Sequence, residues 1–300
     1  MIIFIGGILA QTGQEPFSGD KFDKIYYIKS TSEPPKIDGI LDDPIWSSIN
    51  PITDFVQEYP DNMEEPTEKT EVYLTYDDQA IYVAAHLYDS EPSKIARQLA
   101  PQDDWYGAFD EMADWFSIDI DSQHDHQTGF SFAVNASGVI SDEMIFHDSE
   151  YDSDWNAIWH AEVNINEKGW SLEIEIPFSN LSFYDVDEQV WGLNITRFIQ
   201  RKYETVSWVA FPFDVEGVVS KYGHLHGLQG IFPPAKFKFV PYILGGATQY
   251  SDIRLKHIWE PWSHNLHYST MYKKNIGLDM IYNINPSSQI MLTINLFILI

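Results

Sequence analysis

Apolar and polar residues alternate with a period of two along most of this chain. The clearest run is Trp170–Ile176, where Trp170, Leu172, Ile174 and Ile176 take turns with Ser171, Glu173 and Glu175. That pattern predicts a half-buried antiparallel strand, and Pro177, which has no N–H for a ladder bond, ends it. Ala161–Ile165 and the turn Glu167-Lys168-Gly169 make it a hairpin, led in by Trp155 and Trp159. A second hairpin is predicted at residues 71–77 and 80–88, with Val72, Leu74, Ile81, Val83, Ala85 and Leu87 facing inward. Further strands are expected at Trp115–Asp121, Phe130–Asn135, Val139–Phe146, residues 190–201 and 205–211, and Tyr222–Leu228. Residues 100–114 and His124–Gly129 read as loops. Strands every ten or so residues, with no long amphipathic helix, predict an all-β chain built on an antiparallel β-sandwich.

The pattern changes after Pro233-Pro234. Lys236–Tyr250 alternates at length, then residues 276–284, and after Asn285-Pro286 the run through Ile290, Leu292, Ile294 and Leu296. Segments of about ten residues, apolar on one side, resemble the strands of an outer-membrane β-barrel, which needs at least about eight of them. Residues 236–300 are therefore expected to be the first few strands of an incomplete barrel, or a few extra strands packed on the sandwich. Residues 34–232 form the sandwich and 11–33 a polar linker. Met1–Ala10 reads as the apolar core of a secretory signal, although no Lys or Arg precedes it. The expected location is the periplasm, the outer membrane or the cell surface.

Charge and composition narrow the partners. The net charge is −27, and up to Phe232 there are 42 acidic against 12 basic residues; from Pro233 onward there are 3 against 6. So acidic a domain repels nucleic acid. The absence of cysteine removes disulfides, thiolate chemistry and zinc ribbons. Neither G-x-S-x-G, a P-loop, H-E-x-x-H nor a dinucleotide fingerprint occurs. Glu173 with Glu175, or Asp110 with Asp114, could be drawn as a glycosidase pair, but 45 carboxylates make such pairs common by chance.

The blocks IDGILDDPIW (Ile37–Trp46), TEVYLTYDDQAIYVAAHLYD (Thr70–Asp89), Trp155 and Trp159 with Gly169-Trp170, and IPFSNLSF (Ile176–Phe183) occur together here. WGLNITRFIQRKYE (Trp191–Glu204), YGHLHGL (Tyr222–Leu228) and PPAKFKFVPY (Pro233–Tyr242) follow. This combination resembles large exported bacterial proteins with a domain similar to the family 9 carbohydrate-binding modules, followed by an outer-membrane-type β-barrel. The resemblance spans Pro34 to Asn295. In that family the barrel runs on from a segment like GLDMIYNINPSSQIMLTIN into an Asn-Pro-Asp-Phe turn, where this chain has Leu296–Ile300. That departure suggests a truncated copy.

The resemblance implies non-catalytic binding of a polysaccharide or cell-surface glycan, in a setting of polysaccharide catabolism, with the barrel as a membrane partner. The alternative is a structural or gating domain of the barrel that has lost sugar binding. In family 9 modules two tryptophans sandwich the sugar. Here Glu111 stands in place of the first, Ser117 of a glutamate, Ala133 of an arginine, and Phe213 is the nearest aromatic to the second. Other residues that could rebuild a sugar site are Trp105, Tyr106 and Trp115, since aromatic faces suit the apolar side of a pyranose. Asp119, Asp121 and Asp125 offer closely spaced oxygens for a structural Ca²⁺, which family 9 modules bind. His124 and His126 could hold a transition metal, or simply be solvated loop histidines. Arg197, Arg201 and Glu204 read as a structural ion-pair network at the junction with the barrel.

Overall fold

The computed structural model describes residues 24–234, 237–253, 266–285 and 288–299. The segment Met1–Ala10, read above as an export signal, lies outside them. Two compact units, divided at Pro233/Pro234, account for the chain.

The first unit contains β1 (Ile25–Tyr27), β2 (Lys29–Ser30), helix α1 (Pro44–Ser48), β3 (Val56–Tyr59), β4 (Thr70–Tyr76), β5 (Ala80–Tyr88) and helix α2 (Trp105–Ala108). Then come β6 (Trp115–Asp121), β7 (Gly129–Asn135), β8 (Ile140–Phe146), β9 (Glu150–Asp152), β10 (His160–Asn166) and β11 (Gly169–Pro177). The unit ends with β12 (Glu188–Ile199), β13 (Glu204–Ser207) and β14 (Gly223–Gln229). One sheet has the order β1-β14-β12-β6-β7-β8-β9, with β13 and β3 branching from β12; the other is β10-β11-β5-β4-β2.

The two sheets face each other because each contributes one apolar side. From the smaller sheet come Val72, Leu74, Ile81, Val83, Ala85, Leu87, Leu172, Ile174 and Ile176, all fully buried. From the larger come Phe116, Ile118, Ile120, Phe132, Val134, Leu193, Ile195 and Leu225, and all belong to one continuous core. Each such side chain contributes roughly 1.5–3 kcal/mol by leaving water. Trp155 and Trp159 extend this core: Trp159 meets the edge of Phe132 at 5.4 Å and donates its Nε1–H to Asp142 at 2.9 Å, while Trp155 packs on Phe130 at 5.1 Å.

Three features differ from the sequence expectation. Residues 25–30 are not linker: β1 pairs in parallel with β14 and β2 in parallel with β4, so the sandwich is not purely antiparallel. Two or three residues are too short to show a period. The predicted strand at 205–211 stops at Ser207, and β3 comes from a polar stretch without clear alternation. Finally, Glu204 does not pair with either arginine.

Instead of meeting Glu204, Arg197 and Arg201 bond to groups at and beside the ends of β4 and β5, which ties the two sheets of the first unit together. Arg197 sits on the inner face of β12 with no solvent exposure. It donates to the carbonyls of Lys69 at 3.1 Å and Tyr88 at 2.7 Å and to Thr70 Oγ1 at 3.1 Å, at the ends of β4 and β5. Burial pushes its pKa down to about 10, against the pull of Asp114 and Asp89, so it stays charged. Arg201 lies beyond the strand and pairs with Asp89 at 2.6 Å and Glu68 at 2.9 Å. Lys202 adds a 2.6 Å contact to Glu68. Burial would raise Glu68, but the bonds from Lys202, Ser90 and Arg201 outweigh it and hold the carboxyl at about 2. Glu204 instead accepts from the backbone N–H of Thr67 at 2.8 Å and from its hydroxyl.

On the outer face of the smaller sheet, Glu173 anchors the segment carrying α1. Its Oε2 accepts from Asp38 N–H and Gly39 N–H, both at 2.9 Å, and its Oε1 from Trp46 Nε1–H at 2.7 Å. Gly39 has φ +78°, and a Cβ there would meet the Val163 backbone at 2.8 Å, so only glycine fits. With three donors on one buried carboxylate, Glu173 is a structural acceptor and not a candidate acid for glycoside cleavage.

The second unit is a three-stranded antiparallel meander: β15 (Phe237–Ile253), β16 (Leu266–Asn285) and β17 (Ser288–Leu299). Exposed apolar side chains line it, among them Phe237, Phe239, Ile243, Leu292 and Ile294. Tyr242 stands opposite Gly277 in register and covers it.

Two outcomes are expected. Glu173→Gln puts an amide NH₂ against one of the donors, and should cost about 2 kcal/mol in denaturant unfolding; an unchanged unfolding midpoint would refute the anchor. Asp114 is the second. Burial, opposed by the Ala96 N–H and by Arg197, pushes it up to about 6. A carboxyl raised above its unfolded value stabilises most when protonated, so its contribution is present below about pH 4 and lost as pH rises through 6. Asp114→Asn, which keeps an acceptor for Ala96, should therefore gain about 2–3 kcal/mol on the wild type between pH 4 and pH 8. A difference independent of pH in paired unfolding curves would contradict this.

Candidate functional site

The best-formed aromatic cleft begins with one row of residues in register across four strands. Tyr59 on β3 pairs with Thr205 on β13, Thr205 with Phe198 on β12, and Phe198 with Trp115 on β6. Residues paired in register share a face, here the outer face, because neighbouring Phe116 and Arg197 point into the sandwich. This row is the floor of a 370 Å³ cleft, completed by Trp105, Asp110, Glu111 and Tyr203. That volume lies in the range of small-ligand sites.

Helix α2 supplies one wall. Asp104 caps it, accepting from Gly107 N–H at 3.0 Å, although the sequence predicted loop here. The short turn places Phe109 four residues after Trp105, with their rings stacked at 5.1 Å and 4°. Trp105 tilts against Trp115 at 5.4 Å and 59°, and Trp115 stacks on Phe198 at 5.8 Å. The indole N–H of Trp115 is held by the Asp110 carbonyl at 3.2 Å. Trp105 and Trp115 are each half-buried, so each keeps part of its ring for a ligand.

Tyr203 forms the opposite wall. It ends the short turn Gln200–Lys202 in the left-handed region, φ 52°, which turns its ring back over Phe198 (5.7 Å) and Tyr59 (5.3 Å), both edge-on. Its hydroxyl donates to Glu111 Oε1, and that bond to a carboxylate pushes the phenol up to about 12. The cleft thus offers aromatic faces, two carboxylates, and the hydroxyls of Tyr203, Tyr59 and Thr205. Among its lining residues there is no cation.

Of the residues proposed from sequence for sugar binding, Trp105, Glu111 and Trp115 come together here. Tyr106 and Phe213 do not line the cleft; they stand 81% and 71% exposed outside it. Tyr59, Phe198 and Tyr203 were not anticipated, since only strand pairing brings them to Trp115. The positions matching the family's glutamate and arginine, Ser117 and Ala133, are paired neighbours and both buried. Ala133 packs under Phe109 and Ala108, so α2 closes the place where a polar sugar contact would stand.

A second cleft of 370 Å³ lies on the smaller sheet, lined by His86, Leu87, Tyr88, Asn166, Glu167, Lys168 and Trp170. Trp170 is buried in the core, and the Tyr88 hydroxyl is engaged by Glu71 at 2.9 Å. It offers fewer free aromatic faces than the first.

The three aspartates suggested for calcium are spread out. Asp121 is buried and accepts from the N–H groups of Asp125 (3.3 Å) and His126 (2.9 Å). Asp125 accepts from Gln127 and Thr128 N–H, at 2.8 and 2.7 Å. Asp119 lies two residues back along β6, near Ser131 and Glu143. Among the described residues no three His, Asp or Glu side chains already converge as a cage, and Ca²⁺ takes six to eight oxygens. Asp121 and Asp125 organise the loop after β6, and Asp119 stands apart from them within the strand.

Comparison with known proteins agrees with this fold. A candidate carbohydrate-binding protein from Bacteroides uniformis superimposes with a TM-score of 0.51 at 12% identity, covering 68% of this chain and 99% of that one. A family 9 carbohydrate-binding module from Caldicellulosiruptor kristjanssonii matches less closely. Its glucose complex has TM-score 0.46, 17% identity, and coverage of 71% and 97%; its cellotriose complex has 0.47, 16%, and 71% and 95%. No curated protein matches the chain. The family described as carbohydrate family 9 binding domain-like matches residues 37–217, which takes in every strand of the first unit except β1, β2 and β14 and all the residues lining the cleft. With that match over more than half its length, the chain belongs to the carbohydrate family 9 binding domain-like family.

Proposed function

We propose that the sandwich binds a glycan, without catalysis, in the cleft between Trp105, Trp115 and Tyr203. The observation that carries this reading is the pair of half-buried indoles beside the Tyr203–Glu111 hydrogen bond, which together present apolar ring faces and polar groups at one opening. Sugars need both. Asp110 and Glu111 at the mouth, in a domain so acidic, disfavour anionic polymers. The ligand is a neutral glycan.

We further read residues 237–299 as strands of an outer-membrane-type β-barrel. Supporting this are strands of 17, 20 and 12 residues, where about 9–11 suffice to cross a bilayer, and the exposed apolar side chains along them. The same unit supports the alternative, a sandwich serving to gate or assemble a barrel. Both place the protein at the bacterial envelope after export, and the binding reading fits polysaccharide catabolism.

The test is a glycan array and affinity electrophoresis on the full chain in detergent. A neutral polysaccharide should bind, and Trp105→Ala or Trp115→Ala should weaken it about tenfold, the worth of one aromatic stacking contact. Tyr106→Ala should change nothing. No retention on any neutral glycan by the folded chain would favour the gating role; retention that survives both tryptophan substitutions would move the site elsewhere.

A further inference from the structure

Two H-x-H motifs, His124-Asp125-His126 in the β6–β7 loop and His224-Leu225-His226 on β14, account for four of the ten histidines and meet in space. In β14 the alternation sends Leu225 into the core and leaves His224 and His226 together on the outer face. The loop folds over that face. His124 Nε2 lies 3.1 Å from His224 Nδ1, the His124 and His126 rings are 4.6 Å apart, and His224 and His226 are 6.3 Å apart. We propose that these four histidines form a site for one divalent transition-metal ion of the imidazole-preferring class, Zn²⁺ foremost.

The central distance carries the argument. Two nitrogens each about 2.05 Å from a tetrahedral Zn²⁺ stand about 3.3 Å apart, close to the His124–His224 separation. Without a metal, one ring must lend its proton to the other; with one, both lend lone pairs to the same cation. Imidazole nitrogens suit Zn²⁺, Ni²⁺ and Cu²⁺ and not Ca²⁺. Among the described residues no three such side chains stand close enough together to hold a metal, so the proposed site requires His126 and His226 to turn inward as the third and fourth ligands.

The backbone is arranged around this meeting. His124 and His126 both have positive φ, 50° and 57°, a region non-glycine residues seldom occupy, and the Asp121 carboxylate holds the N–H of His126. Asp121, Gly192 and His224 lie in one cross-strand row. Gly192 leaves the middle of that row open, and a Cβ there would stand 2.9 Å from Asp121 Cβ. The site is at the far end of β6 from the aromatic cleft, roughly 20 Å along the strand. It does not depend on the sugar-binding reading.

The experiment uses the full chain in detergent, stripped with chelator and then titrated with Zn²⁺ by calorimetry and with Co²⁺ by visible absorption. One Zn²⁺ per chain should be lost on changing His124→Gln or His224→Gln, with the tetrahedral Co²⁺ bands. Exposed His160→Gln should retain both, and excess Ca²⁺ should not compete. The thermal midpoint should rise with Zn²⁺ in the wild type and not in those two variants. Should either variant fail to fold without metal, the double change His126→Gln with His226→Gln, which leaves the central pair, should still weaken Zn²⁺ binding at least about tenfold. Absence of stoichiometric binding, or binding unaltered in the His124, His224 and double variants, overturns the site.

Discussion

A single buried guanidinium ties the two halves of the sandwich together. Arg197 projects from the larger sheet into the space between the layers and reaches backbone carbonyls at the ends of two strands of the smaller one. Hydrophobic faces draw sheets together without specifying how far one slides over the other. Directed hydrogen bonds from a fixed planar fork do specify it. Arg197 stands beside Phe198 in sequence, so the residue that sets the register of the layers also sets the floor of the aromatic cleft on the opposite side of the strand.

The cleft takes its parts from four separate stretches of chain. Strand pairing brings Tyr59, Phe198 and Trp115 together, and packing of α2 and of the turn holding Tyr203 adds the walls. Helix α2 has one turn, and it stays in place because Phe109 is buried on Ala133 and Val139 while Trp105 stacks above. The same packing that builds the new wall fills the place of a polar contact suggested by family resemblance. The cleft lies on the outer face toward β13 and is lined by tyrosine hydroxyls and carboxylates in place of an arginine.

The second unit exposes a different kind of surface. Its long strands pair in an antiparallel ladder on both sides of β16, yet leave phenylalanine, isoleucine and leucine exposed. In water such a surface is costly; in a bilayer it is the normal exterior of a barrel.

Sequence alone determined the class of fold and most of the inner faces, because a period of two in apolar residues has one physical reading for a half-buried strand. Val72, Leu74, Ile81, Val83, Ala85 and Leu87 point inward as their alternation requires. It also named Trp105, Glu111 and Trp115, which lie close in sequence and line one cleft, and Arg197 and Arg201, conspicuous as cations among acids. It missed the short strands at 25–30, where there is no room for a period, and it wrongly gave Glu204 to the arginines. Only the tertiary structure decided the rest: Glu173 as an anchor, Tyr203 and Tyr59 as walls of the cleft, and His124 beside His224 across a hundred residues. Local pattern fixes which face a residue takes, but strand order and register choose its neighbours, and those are set by long-range pairing that no short window of sequence contains.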